Sequence, residues 1–517
     1  MQRRSCLDPA FICLLLVLLP VPMWAAADPS APDSPTLPAE VTTALASIAG
    51  HSMIDSHAYQ ELQQLSDDIG GRLTGSSQAA KAVEWGLAKM QAIGLTNVHA
   101  ETWQLSRGWA RVSASALLIA PIRRPLTLDS MGWTGSTPQG GTEDDIVEVN
   151  VNQLDQEMKN NSTKWAGKIL LVVKKNEEPK EPVVELKHFA RFGAFLRTAY
   201  AVHAVGVIGG QAGSPAVGMH LTHTGILGFD TYYEIPVVSL SAEDQLQLER
   251  FLDQGKTVRL KLDVQNHITN GPVPSANVIG EIRGAENPEQ VVVIGSHLDS
   301  WDLADGSTDD GIGVAATLGA AEAIAASGQR PRRTIRFVLF TGEEQGLLGS
   351  LAYTKEHRGE MADHVAALVL DNGQGPVIGL NLGIRDDLVP AIKKFTEFLW
   401  AFGDLKVDDK VVFSTDCGPF TLAGLPGINM AQDATDYKFT HHSAVDTFDK
   451  VKPESLARNA TLMALIAFWI ADRLERLASP WSPNKTAGAL VKRNDDELLK
   501  DLGLWPFGNH SDADKKD

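Results

Sequence analysis

The sequence predicts an α/β protein, a sheet with helices on both faces, interrupted by a β-rich insertion. Three observations carry that prediction. After Ser275, strand-length apolar runs alternate with helical periods. Those runs, such as Val291-Val292-Val293-Ile294, are apolar at every position, as expected when helices cover both sides of a sheet. Between about residues 116 and 272 the pattern changes to short recurring β-like runs.

The elements follow in order. Arg3 and Arg4, an apolar stretch from Ala10 to Leu19, and Ala25-Ala26-Ala27 before Asp28 read as a secretory signal peptide. The apolar run is short for a membrane anchor, and no later segment is apolar for long enough to span a bilayer. A leader rich in Pro, Ala, Asp and Ser follows at 28–39. His57–Ile69 and Ser77–Ile93 carry helical spacing around the glycine-rich turn Gly70-Gly71-Arg72-Leu73-Thr74-Gly75-Ser76, and Val98–Leu105 reads as a strand. In the insertion, Ile146–Val151, Lys168–Val173, Gly206–Ile208, Ile235–Leu240 and Val258–Val264 read as strands, with helices at Phe192–Val205 and Ala242–Leu252. Pro272 and Pro274 close it.

Beyond Ser275, strands are expected at Val291–Gly295, Thr334–Phe340, Val365–Leu370 and Gly427–Met430. Helices are expected at Gly311–Ser327, Gln345–His357, Leu388–Ala401 and Pro453–Ala478. The predicted division is a signal peptide at 1–27, a first part of the α/β unit at 28–115, the insertion at 116–272, a second part at 273–480 and a tail at 481–517, loosely ordered at its charged end.

Composition narrows the function. Hydrophobic residues make up 44% and charged residues 21% of 517 residues, ordinary for a globular chain. The net charge of −18 becomes one unit more negative when Arg3, Arg4 and Asp8 are cleaved away. Such acidity disfavours nucleic acid and anionic membranes as partners and suits a secreted or periplasmic protein. Only Cys417 survives cleavage, so no intrachain disulfide is expected.

Three of the strands end in polar residues. Val291–Ser296 runs into His297-Leu298-Asp299, Phe337–Gly342 into Glu343-Glu344, and Leu368–Leu370 into Asp371. Sites in open α/β sheets form beyond the carboxyl ends of strands, so these residues should converge. Asp309-Asp310-Gly311 precedes a helix, where an aspartate also serves as a cap. His441-His442 is weak alone, and Glu343-Glu344 alone would suit a helix start. Together, two imidazoles and three carboxylates are the ligands zinc prefers. A carboxylate shared between two cations lets five side chains hold a pair, which polarises a carbonyl and lowers the pKa of a shared water towards ~7. Of the adjacent glutamates, one binds metal while the other works as the base. Asp299 suits orientation of His297 through the other ring nitrogen. Asp446 would fix the loop carrying His442 or make a local turn bond.

Ser296-His297-Leu298-Asp299-Ser300-Trp301-Asp302, Asp309-Asp310-Gly311, Thr341-Gly342-Glu343-Glu344-Gln345-Gly346, Asp371 and His441-His442-Ser443-Ala444-Val445-Asp446-Thr447 resemble the two-zinc metallopeptidases. That family includes bacterial leucyl aminopeptidase and glutamate carboxypeptidase, and this chain resembles its plasma glutamate carboxypeptidase (carboxypeptidase Q) branch from about His57 to Arg473. The resemblance implies a mixed β-sheet flanked by helices, of the phosphorylase/hydrolase-like kind, and two Zn2+ per chain. It implies that His297 and Asp371 hold one zinc, Glu344 and His442 the other, and that Asp309 bridges them. Glu343 would be the general base and Asp299 would orient His297. A cis peptide at Asp309–Asp310 is also implied. The insertion resembles a protease-associated domain at Trp165–Val172 and Gly206–Gly210, a domain that in relatives covers the active-site cleft or takes part in assembly, here possible as a homodimer. Many bacterial relatives have Ser-Asp-His where this chain has Thr415-Asp416-Cys417, which questions any substrate contact made by that histidine. Cys417 itself reads as a buried pocket residue.

The expected reaction is exopeptidase cleavage. Asp433, Asp436 and Tyr437 are candidates to hold a substrate amine or carbonyl, and Arg72 to meet a carboxylate. The carboxypeptidase Q resemblance points to dipeptides or short peptides with a free amino end. The alternatives are a carboxypeptidase acting on longer peptides, a non-catalytic relative such as transferrin receptor, and an acyl-transferring relative with one zinc, as in glutaminyl cyclase.

Overall fold

The computed structural model describes residues 37–175, 188–209 and 219–508. The expected signal peptide and most of the leader lie outside them, as does the end of the tail. Strand β1 (Thr96–Leu105) opens a first sheet. A second sheet then takes β2 (Gly108–Ala120), β3 (Arg124–Leu126), β4 (Leu128–Ser130), β5 (Thr142–Asn150), β6 (Ile169–Val173), β7 (Gly206–Ile208), β8 (Val237–Leu240) and β9 (Arg259–Thr269). The chain returns to the first sheet with β10 (Val273–Ile282), β11 (Asn287–His297), β12 (Arg333–Phe340), β13 (His364–Val369), β14 (Val377–Asn381), β15 (Lys406–Asp408) and β16 (Gly427–Gln432). Both sheets have eight strands and both are mixed, in the orders β1-β10-β12-β11-β13-β16-β14-β15 and β3-β2-β9-β5-β6-β7-β8-β4.

The centre of the first sheet explains its apolar strands. β12, β11, β13 and β16 run parallel, and alternate residues enter different cores. Val292, Ile294, Phe337 and Leu339 pack into the core shared with helices Ala39–Ile54, Ile312–Ala326 and Pro453–Asp472. Val291, Val293, Val338 and Phe340 face the other side, against Tyr353 and Phe420. A parallel strand sandwiched this way has no solvent face and needs no polar alternation.

Three departures from the sequence reading have physical causes. Pro272 and Pro274 do not end the strand pattern, because β10 begins at Val273. Pro274 pairs only with Gln104 of β1, and β12 joins β10 from Val278 onward, so the proline sits where no second ladder needs its missing N–H. The helix expected from Gln345 starts at Leu348, after a tight turn with Gly346 at φ +109° and Leu347 at φ +61°. The tail contains two helices, Pro483–Lys492 and Asp495–Asp501, whose Leu490 and Leu499 are fully buried with Ile384 and Phe413.

Candidate metal centre

Because β12, β11 and β13 are parallel neighbours, their carboxyl ends share one edge. His297 is the last residue of β11, Glu343 and Glu344 follow β12 by a short turn, and Asp371 lies just past β13. Asp309 comes from the turn before helix Ile312–Ala326, and its peptide with Asp310 is cis. The cap of that helix is Asp310, whose carboxylate accepts the Gly313 N–H at 3.0 Å. Asp309 is thereby free of the capping role that its position also allowed.

The five residues converge. One Asp309 oxygen is 3.2 Å from His297 Nε2, which is also 3.6 Å from Asp371. The other Asp309 oxygen is 3.4 Å from His442 Nε2, which is 3.0 Å from Glu344. His441 stacks on His442 at 3.8 Å between ring centroids, but its Nε2 lies 3.9 Å from Asp309 and its ring is half exposed. His442 itself adopts φ +56°, a left-handed conformation that costs a non-glycine residue about 1 kcal/mol or more.

The donor set fits cations. His297, Asp309, Glu344 and Asp371 are all buried, and His297 Nε2, Asp309 Oδ2 and Glu344 Oε1 have no hydrogen-bond partner among the described residues. Burial, reinforced by the neighbouring carboxylates, pushes Glu344 well above the ordinary carboxylate range and raises Asp371. Burial also raises Glu343 well above that range, with His297 opposing and the charges of Asp371 and Glu344 adding to it. Asp309 is held low despite burial by the His297 and His442 rings that face its two oxygens. So many acids in one dry space cannot all ionise unless positive charge joins them, and two imidazoles are too few. His297, Asp309 and Asp371 form one group able to hold a metal ion, and Asp309 with His441 and His442 another.

The surrounding contacts refine the expected roles. The Asp299 carbonyl, at 3.0 Å, is nearer to His297 Nδ1 than its carboxylate at 3.6 Å, so the ring is oriented mainly through the main chain. The Asp299 carboxylate instead accepts from Thr74 Oγ1 and from the Glu343 N–H, while Thr74 Oγ1 accepts the Gly342 N–H. Thr74 thus ties the glycine-rich turn to the base-bearing turn. Asp446 accepts the amides of Thr308 and Asp309 at 2.6 and 3.2 Å, and this links the His442 loop to the shared aspartate.

Arg72 is placed otherwise than expected. It is fully buried, and its guanidinium donates to the carbonyls of Leu298, Asp305 and Gly306, which leaves no face for a substrate carboxylate. Tyr437 packs against Gly373 and His441, close enough to Asp309 and Asp371 for their charges, after burial, to raise its phenol well above the usual range. Asp433 and Asp436 are exposed and line a neighbouring cavity of 670 Å³ with Phe439 and Lys452. Cys417 is buried beside Thr415, and burial pushes its thiol up to about 12, too high for a nucleophile.

Three further residues shape the site without having been singled out from the sequence. Trp301, inside the first motif, stands 5.8 Å from the His442 ring and packs edge-on against Trp133 of the second sheet's loops. His223 and Thr224, on the long connection after β7, hydrogen-bond the His441 and His442 carbonyls. Long-range pairings of this kind leave no local periodicity to read.

Residues 277–467 match peptidase family M28. Mouse carboxypeptidase Q is 29% identical over 442 residues, covering 85% of this chain and 90% of its own. The solved peptidase M28 precursor from Shewanella amazonensis superimposes with TM-score 0.75 at 29% identity, covering 86% of this chain and 99% of its own. The zinc aminopeptidase BSAP from Bacillus subtilis has the same fold at TM-score 0.61 and 19% identity, covering 82% and 97%.

Proposed function

We propose that the chain, whose residues 277–467 match peptidase family M28, is an exported metallo-exopeptidase that uses two zinc ions to release residues from dipeptides and short peptides with a free amino end. The observation that carries the reading is Asp309, whose two carboxylate oxygens face different histidine–carboxylate pairs. His297 and Asp371 would hold one ion, Glu344 and His442 the other, with Asp309 shared. Bound there, the pair would polarise the scissile carbonyl and bring the pKa of water down towards ~7.

The protein's own groups supply the rest. Glu343, partly buried beside Glu344, takes the proton of the attacking water and delivers it to the leaving nitrogen. Asp299 and Thr74 hold the Glu343 turn in register with β11. Tyr437, close to Asp309 and Asp371, would donate to the substrate carbonyl. With Arg72 spent on main-chain carbonyls, the candidate for a terminal carboxylate is gone and the amino-end reading gains. The signal-peptide pattern at residues 1–27 supports export. Among the described residues no helix is long and apolar enough to cross a membrane. The second sheet is the part that would correspond to a protease-associated domain.

Glu343→Gln is the direct test. It should bind zinc as the parent does while dipeptide hydrolysis falls about 10²–10⁴-fold. Full activity in that variant would remove Glu343 as the base. A panel of dipeptides with free and blocked ends should show loss of cleavage on blocking the amine, and retention on blocking would reverse the end assignment.

A further inference from the structure

The second sheet contributes more than a wall beside the metal centre. Residues Thr222, His223 and Thr224, all buried, run antiparallel to the loop that carries His442, with His223 bridged to Ser443. The Thr224 N–H donates to the His442 carbonyl at 2.9 Å. His223 Nδ1 lies 2.7 Å from the His441 carbonyl. A carbonyl only accepts, so that nitrogen carries the hydrogen and Nε2 is the bare one. Nε2 is buried without a partner among the described residues. A histidine spends its one donor here in the neutral form, and burial pushes its pKa down to about 4, in agreement.

This segment is itself anchored from both units. Arg111 of β2 pairs with Asp302 at 3.1 Å and donates to Thr224 Oγ1 at 3.0 Å, while Thr224 Oγ1 donates to the Ser130 carbonyl. Gly225 closes against the His442 ring, where a Cβ would stand 3.6 Å from Nδ1, and Trp301 lies on another side of that ring. The amides of His441 and Ser443 bond within their own loop, to Tyr437 and Thr440. Among the described residues, the carbonyls of His441 and His442 bond to the inserted segment.

We infer that His223 is a positioning residue for the metal centre: its Nδ1–H, with the Thr224 amide, pins the His441–His442 carbonyls and holds His442 in its left-handed conformation facing Glu344. The inserted unit is then part of one metal position and not of the other, since His297 and Asp371 take their geometry from β11 and β13. This rests on the two-zinc reading above. Partners that orient a ligand typically set metal affinity by about 10- to 100-fold.

The test is zinc retention under chelator competition, followed by elemental analysis of each variant alongside the parent. His223→Leu removes the donor at similar size, and one of the two zinc ions should be lost at about 10- to 100-fold lower chelator concentration while the other is held as in the parent. His223→Asn keeps an N–H near the Nδ1 position and should restore retention. Arg111→Met loosens the segment without touching the buried carbonyl and should weaken the same ion less, and it decides the matter if His223→Leu does not fold. Equal loss of both ions, unchanged retention in Leu and Met variants, or failure of Asn to rescue would each overturn the inference. Parent protein holding a single zinc would instead overturn the two-zinc reading itself.

Discussion

At Asp309 and Asp310, adjacent and chemically identical side chains divide two tasks. Asp310 caps a helix and Asp309 is left facing two histidines. The sequence leaves those roles open between them, because a cap and a ligand want the same carboxylate at the same turn. Arg72 shows the opposite difficulty. A cation in a glycine-rich turn looks available, yet its donors close the loop from Leu298 to Gly306 that leads into Asp309. Arg72→Met should therefore cost about 3 kcal/mol or more in denaturant unfolding, since it strands several buried carbonyls. Dipeptides with free and with amidated carboxyl ends should be affected in parallel. A selective loss for free carboxylates would show that the guanidinium reaches substrate.

Strands β11, β12 and β13 made the ligand positions legible, because each ends in a polar residue and parallel order forces the ends together. Elements without such patterning stayed hidden. Strand β10 was masked by its prolines, and β2 begins at Gly108, ahead of the expected change in pattern. The first tail helix was signalled by Ser482 before Pro483, a capping serine and a first-turn proline, but the shortness of both tail helices hid the period. Leu490→Ala should cost about 2–5 kcal/mol if that packing is as described, and a cost below 0.5 kcal/mol would mean the helices do not dock. At the start of β13, buried His364 bonds to the Tyr353 hydroxyl and the Glu360 carbonyl, and burial lowers its pKa to about 4. Its folded value lies below the unfolded 6.5, so the unfolded chain binds the extra proton and stability drops as pH falls from 6.5 through 4. The loss reaches about 3 kcal/mol. His364→Gln should flatten that slope in pH-dependent unfolding, and an unchanged slope would assign the acid sensitivity elsewhere.

On the scale of the whole molecule, two mixed sheets meet over one cluster of acids. The ties across that meeting, Arg111 to Asp302, Trp133 to Trp301 and His223 to His441, join residues 168 or more positions apart. No spacing rule announces them, which is why the sequence pointed to the candidate ligands but not to the clamp. Metal and fold should be linked: removing zinc with chelator should lower the unfolding temperature, and zinc in excess over its dissociation constant should restore it. The central claim is tested most directly by counting zinc per chain in fully active protein. Two ions are expected, falling to one in His297→Ala and to one in His442→Ala. A fully active protein with a single zinc would contradict it.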